Sequence, residues 1–118
     1  MKIAISSNDG KFDTQFSSRF GRCDFFIFID TETRSWESKP NPAVDAQGGA
    51  GAQVVQFLSK NHIETTITGR YGPTAFSALQ AAGIQTYRAN EGTPEELLDM
   101  FLDGKLSQVF EASGPGLH

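Results

Sequence analysis

Hydrophobic and polar positions along this chain fall into short apolar runs followed by amphipathic stretches, a pattern typical of an α/β domain. Residues 25–29 form a near-continuous apolar run, Phe-Phe-Ile-Phe-Ile, and predict a strand buried on both faces. Residues 3–6 predict a shorter strand before it, and the more polar residues 34–39 predict an edge strand after it. Pro40 ends that edge strand because proline has no amide hydrogen to donate to a ladder.

Helical and strand patterns alternate in the second half of the chain. The predicted helices cover residues 51–60, 73–82 and a segment from Thr93 to Gly104, and the predicted strands between them cover 64–68 and 84–87. Thr93 as N-cap and Glu96 at the third helical position predict a capping box. Residues 11–22, in contrast, are polar and contain poor helix formers, so they predict a loop anchored by phenylalanines.

This order of elements predicts a mixed five-stranded sheet in the strand order 3-2-1-4-5, with strand 2 antiparallel and helices covering the sheet. Ligands of such sheets sit beyond the carboxyl ends of the parallel strands, where the strand order reverses. We therefore expect the loops after the first and fourth strands to meet there. Residues 1–112 are predicted to form a single domain, and residues 113–118 a solvated tail.

Composition narrows the class of protein. A net charge of −4 on 118 residues disfavours a general nucleic-acid binder, which would usually be basic. A single cysteine excludes an internal disulfide and fits a reducing compartment. Neither a signal peptide nor a membrane-length apolar run is recognisable, so we expect a cytoplasmic protein without membrane contact.

Three glycine-containing loops hold the candidate chemistry. They are Arg19-Phe20-Gly21-Arg22-Cys23, Gly48-Gly49-Ala50-Gly51 and Gly69-Arg70-Tyr71-Gly72-Pro73. The second and third precede predicted helices, whose free amide N–H groups and dipoles favour an anion. The arginines add fixed positive charge. The loops therefore predict an anion site, although tight turns with solvated arginines would give the same sequence pattern.

Cys23 is a candidate nucleophile or soft metal ligand. The neighbouring arginines predict a lowered thiol pKa and a thiolate, whereas the alternative is a cysteine buried in the core. Cysteine catalysis would need a histidine base, and the only histidines, His62 and His118, are not placed beside it in the sequence. Asp9 and Asp13 could bind a hard cation, but turn chemistry alone explains the Asp-Gly pair.

Four motifs occur in an order that resembles the dinitrogenase iron–molybdenum cofactor biosynthesis family over roughly residues 1–106. The motifs are Arg19-Phe20-Gly21-Arg22 before an apolar strand, Asn41-Pro42 followed by Gly48–Gly51, Gly72-Pro73-x-Ala75, and Ala82-Gly83-Ile84. The resemblance implies a ribonuclease-H-like α/β/α fold. It also implies non-catalytic binding or carriage of an iron–molybdenum or related molybdenum–sulfide cluster, with cluster donor and acceptor proteins as partners.

One position departs from the family. Nitrogenase accessory members have a histidine before Phe-Gly, where this chain has Arg19. This departure argues against direct ligation of an iron–molybdenum cofactor at Arg19. Arginine and backbone N–H groups could instead capture an anionic metal–sulfur cluster electrostatically, with Cys23 as a candidate thiolate ligand.

Other functions remain open at this point. The same fold could serve as a protein-partner module without a cluster, or bind a phosphate ligand. A nuclease would need carboxylates on the central strands to hold metal ions, and residues 2–5 contain none.

Overall fold

The computed structural model describes residues 1–46 and 49–111. Its strands and helices are β1 (Lys2–Ser7), β2 (Phe25–Asp30), β3 (Trp36–Pro40), α1 (Ala50–Lys60), β4 (Thr65–Thr68), α2 (Pro73–Ala81), β5 (Gln85–Arg88), α3 (Pro94–Leu102) and β6 (Ser107–Gln108). Residues 11–22 contain neither a helix nor an extended ladder, which confirms the predicted loop. The predicted tail and Gly48 lie outside the described residues.

The strands form one mixed sheet in the order β3-β2-β1-β4-β5-β6. β2 is antiparallel to both β1 and β3, whereas β1, β4 and β5 run parallel, with Ile5 opposite Ile67. The predicted order of the first five strands is confirmed.

The sheet has six strands, and the prediction of five is wrong. β6 consists of two exposed residues that pair antiparallel with β5. It is fixed beside β5 by Thr86, whose carbonyl accepts a hydrogen bond from Val109 N–H at 2.8 Å and whose hydroxyl donates to the Val109 carbonyl at 2.9 Å. Two exposed polar residues have no apolar periodicity, so the sequence pattern carried no signal for this strand.

The apolar run in β2 divides between the two faces of the sheet. Phe26 and Phe28 pack in one cluster with α1 and α2, and Ile27 and Ile29 pack in a second cluster with α3. Strand alternation explains this division, because successive side chains point to opposite faces. Helices therefore cover both faces, and every residue of the run except Phe25 is buried.

The helix ends follow the predicted local chemistry. At α3 the Thr93 hydroxyl accepts from Glu96 N–H, and the Glu96 carboxylate accepts from Thr93 N–H, which confirms the capping box. At α2, Pro73 occupies the first helical position, and Gly83 follows the C-cap. Among the described residues, no helix combines the length and the apolar character that crossing a bilayer requires.

Candidate functional site

A cavity of about 370 Å³ opens at the carboxyl ends of β1 and β4. We call it the arginine cavity. Its lining residues come from the loop before β2, from the start of α1, and from the β4–α2 connection: Arg19, Phe20, Gly21, Arg22, Gly51, Arg70, Gly72, Pro73, Thr74 and Ala75. Three of these residues are arginines and none is acidic. In a chain of net charge −4, this is a local concentration of positive charge.

The two loops that contribute the arginines are joined through their backbones. Arg19 and Arg70 pair in a single parallel β-bridge, although they are 51 positions apart in the chain. Beside the bridge, Gly69 lies directly against Ser18. A Cβ added at Gly69 would lie 2.8 Å from the Ser18 Cβ, so only glycine permits this approach. The bridge brings two charged residues to one side of the cavity.

The N-terminus of α2 forms another part of the wall. Gly72 is its N-cap and no side chain caps the helix; the first intrahelical bond runs from Phe76 N–H to the Gly72 carbonyl. The amides of Thr74 and Ala75 precede that bond, so they have no acceptor within the helix. Because both residues line the cavity, these donors and the positive end of the helix dipole favour a bound anion.

α1 begins beside α2 and brings a second helix N-terminus to the cavity. Gly51 packs against the backbone of α2, and a Cβ at this position would lie 3.0 Å from Ala75 N. The absence of a side chain at Gly51 therefore lets the two helix starts approach each other.

Arg22 is fixed in part by the chain that leads to α1. Its Nη1 donates to the Ala46 carbonyl at 2.6 Å. This bond uses one of the five guanidinium N–H groups, which leaves further donors on the same side chain. Arg22 is exposed, as are Arg19 and Arg70, so the charges of the cavity are accessible to a ligand from solution.

Residues 1–104 match the family described as dinitrogenase iron–molybdenum cofactor. The chain belongs to this family. An uncharacterised protein of Methanocaldococcus jannaschii is 29% identical over 111 residues, which cover 92% of this chain and 91% of that protein. The resemblance to this family is therefore confirmed.

Two solved structures of similar proteins share both fold and sequence with this member of the family. The apo form of the orange protein from Desulfovibrio gigas is 33% identical with a TM-score of 0.91, and the match covers 96% of each chain. A NifB-like protein from Thermotoga is 36% identical with a TM-score of 0.82, covering 96% of this chain and 98% of that one.

Most of the predicted site residues converge at the arginine cavity. Those that line it are Arg19, Phe20, Gly21, Arg22, Gly51, Arg70, Gly72 and Pro73. Gly69, Tyr71, Cys23, Gly49 and Ala50 are not among the lining residues, and Gly48 lies outside the described residues. Thr74 and Ala75 also line the cavity, although they lie outside the three glycine-containing loops that predicted the site. Pro73 at the first helical position is the signal that could have identified the next two amides as donors.

Tyr71 packs between the cavity and the sheet. Its side chain is buried, and its hydroxyl accepts from Tyr87 N–H at 3.1 Å and lies 2.8 Å from the Tyr87 carbonyl and 3.0 Å from the Thr66 carbonyl. Its ring packs against Phe20 and against Phe76 of α2, with centroids 5.5 Å and 6.2 Å apart. Tyr71 therefore joins both walls of the cavity to the sheet.

Of the two alternatives for Cys23, the structure agrees with the cysteine buried in the core and not with a thiolate stabilised by the arginines. The thiol is buried and donates to the Phe20 carbonyl at 3.2 Å. Burial raises the pKa of Cys23 to about 12, because a thiolate is poorly solvated in the core. At neutral pH the group is a neutral thiol that packs in the apolar cluster with Phe26. Arg22, although adjacent in the chain, is exposed.

The other candidate chemistry lies elsewhere. His62 lies at the amino end of β4, whereas the cavity lies beyond the carboxyl end of that strand, and His118 is outside the described residues. Asp9 accepts hydrogen bonds from Lys11 N–H and from the Thr14 hydroxyl, as a turn residue does. Within residues 1–46 and 49–111, no three histidine, cysteine or acidic side chains cluster as metal ligands would.

Proposed function

We propose that this chain binds and carries an anionic metal–sulfur cluster in the arginine cavity and does not transform it. The observation that carries the proposal is the convergence of Arg19, Arg22 and Arg70 on one cavity that has no acidic lining residue. Guanidinium groups and helix N-terminal amides can hold a sulfide-faced anion through charge-assisted hydrogen bonds without a metal–protein bond.

The comparisons support a cofactor-associated role. The family is named for the iron–molybdenum cofactor, and the Desulfovibrio orange protein is described as an apo form, which names a state without its ligand. We propose that the present chain likewise has a cofactor-associated role and binds a molybdenum–sulfide or iron–molybdenum-type cluster. Proteins that donate and accept the cluster are the proposed partners, and the cytoplasm is the proposed location. The ribonuclease-H-like label remains a prediction.

The proposed binding mode leaves Cys23 in the core. A ligand role for this thiol remains a prediction, but it would require the loss of a proton from a group whose pKa is about 12 and its exposure from a buried position. We therefore propose that capture depends on the arginines and the α2 amides. A Cys23→Ala variant that retains the cluster would agree with this assignment.

Anaerobic reconstitution tests the proposal. Purified protein is incubated with tetrathiomolybdate, alone or with iron and sulfide, desalted, and analysed for molybdenum content and visible absorption. We expect stoichiometric retention of molybdenum that weakens as the salt concentration rises, since the proposed contacts are charge-assisted hydrogen bonds. A colourless, metal-free protein after desalting would refute cluster capture. If the metal-free protein captured one stoichiometric partner in a pull-down, its function as a protein-partner module would replace cluster carriage as the proposal.

A further inference from the structure

A buried chain of hydroxyl groups lies beneath the arginine bridge. The Ser6 hydroxyl, at the end of β1, lies 2.6 Å from the Thr68 hydroxyl at the end of β4. Ser6 Oγ also donates to the carbonyl of Ser17, from which the Thr68 hydroxyl is 3.4 Å away. All three residues are buried, with side chains or backbone that water does not reach.

The donor and the acceptor of each of these hydrogen bonds can be assigned by counting hydroxyl protons. Each hydroxyl has one proton, and Ser6 uses its own on the Ser17 carbonyl. Thr68 has one proton and two acceptors within reach, Ser6 Oγ at 2.6 Å and the Ser17 carbonyl at 3.4 Å, and the shorter contact favours donation to Ser6 Oγ. The order is Thr68 O–H to Ser6 O–H to the Ser17 carbonyl. The backbone of Ser17 also donates its N–H to the Ser6 carbonyl at 2.9 Å, so strand and loop are joined twice.

The two ends of this chain of hydrogen bonds, Ser17 and Thr68, lie at the same sequence distance from the two bridged arginines. Ser17 precedes Arg19 by two residues, and Thr68 precedes Arg70 by two residues. A shift of the Ser17 carbonyl away from the sheet would therefore move Arg19 relative to Arg70. The loop that contains Ser18 cannot move closer to β4, because Ser18 already lies against Gly69.

We infer that Ser6 and Thr68 are positioning residues for anion capture: their hydroxyl chain fixes the Ser17 carbonyl and thereby sets the spacing of Arg19 and Arg70. The inference rests on the proposed function of the arginine cavity. Hydroxyls are required at these positions because a buried carbonyl without a donor is costly, and an apolar side chain would favour a loop that moves out to solvent.

Four variants and tetrathiomolybdate as the probe test this inference. Ser6→Ala leaves Thr68 free to turn its proton toward the Ser17 carbonyl, and Thr68→Val leaves the Ser6 donor intact. Each single variant is expected to weaken binding by less than about 5-fold, the equivalent of one ordinary hydrogen bond, because the remaining hydroxyl can still donate. The double variant removes both donors, so its loss should exceed the product of the single losses. Thr68→Ser keeps the hydroxyl and should bind like the wild type.

Thr86→Val is the matched control. Thr86 is equally buried in the same sheet and donates to a backbone carbonyl, that of Val109, but on the β6 side. It is expected to lower the melting temperature while leaving the affinity for tetrathiomolybdate within about twofold of wild type. Equal weakening by Thr86→Val, or wild-type affinity in a folded double variant, would overturn the positioning role.

Hydrogen exchange separates this inference from the proposed function. If the wild type does not bind tetrathiomolybdate, cluster capture fails, yet the hydroxyl chain can still be tested without a ligand. Backbone amides of residues 17–22 should exchange faster in Ser6→Ala and in the double variant than in the wild type or Thr86→Val. Unchanged exchange in this segment would show that the hydroxyls do not hold the loop.

Discussion

Arg19 and Arg70 are paired backbone to backbone by a single parallel bridge between two loops, and both residues line one cavity. The bridge prolongs the parallel association of the sheet beyond the last residues of its strands. Both side chains are exposed and line the same cavity, so their like charges repel each other and a counter-charge there would be stabilising. An anion that bridges both side chains would remove that repulsion, and this links the backbone geometry to the proposed function.

Removal of either bridged charge should weaken anion retention. Arg19→Ala or Arg70→Ala is expected to lower the affinity for tetrathiomolybdate about 10-fold or more, because each removes charge-assisted donors from the cavity. Titration followed by visible absorption at two salt concentrations measures the effect. Since the arginines are exposed, the affinity of the wild type should also fall with added salt, and less steeply in the variants.

Arg34→Ala is the control for net charge. Arg34 lies in the turn between β2 and β3, near the amino end of β1 and therefore at the opposite end of the strands from the cavity, where it forms an ion pair with Asp99. The variant changes the total charge by the same amount without touching the cavity, so its affinity should match that of the wild type. An equal loss in Arg34→Ala would mean that overall charge, and not the cavity, governs binding.

Gly69 should tolerate no side chain. Gly69→Ala places a Cβ 2.8 Å from the Ser18 Cβ, where neither backbone can move without disturbing the bridge. We expect the free energy of unfolding to fall by about 1–3 kcal/mol, as in other overpacked sites. Urea unfolding measures it. Gly21→Ala is the matched control, since an added Cβ there meets no atom within 4 Å, and it should change stability by less than about 0.5 kcal/mol.

The sequence was sufficient to predict how the loops converge. The apolar run at 25–29 and the alternation after residue 51 set the order of five strands, and that order places the ends of β1 and β4 side by side. Arg19 and Arg70 follow those ends, so their proximity is a consequence of topology. Proline and glycine at 72–73 likewise marked the start of α2, where the backbone donors lie.

The direction in which each side chain points was harder to predict. Arg22 and Cys23 are neighbours in the chain, yet the first is exposed and the second is buried, so adjacency in sequence did not make them electrostatic partners. Tyr71 lies between two lining residues but faces the core, because its hydroxyl bonds backbone groups of β4 and β5. Such contacts depend on tertiary packing, and the sequence pattern contains no separate signal for them.

Tyr71→Phe should loosen the cavity and the sheet together. The substitution leaves the Tyr87 N–H without its hydroxyl acceptor in a buried environment, which is expected to cost about 1–3 kcal/mol of unfolding free energy. Because the ring still packs against Phe20, affinity for tetrathiomolybdate should fall less than in Arg70→Ala. Tyr87→Phe, a half-buried ring that packs on Phe101, is the control and should be milder. Equal stability of the two variants would contradict the anchoring role.

Cys23 gives the fold a dependence on pH that is confined to alkaline solution. Burial raises the pKa of its thiol from 9.0 to about 12, so between these values the folded chain keeps a proton that the unfolded chain has released. The unfolded state then binds fewer protons, and the free energy of unfolding must fall as the pH rises through this window. Cys23→Ala should remove this part of the pH dependence. Urea unfolding of variant and wild type, measured at neutral pH and at several values above 9.0, separates the contribution of Cys23 from that of the other groups.

The native thiol should also react with iodoacetamide only as fast as the chain unfolds. Rapid alkylation of folded protein near neutral pH would show that the thiol is accessible and ionised, and it would restore Cys23 as a candidate ligand.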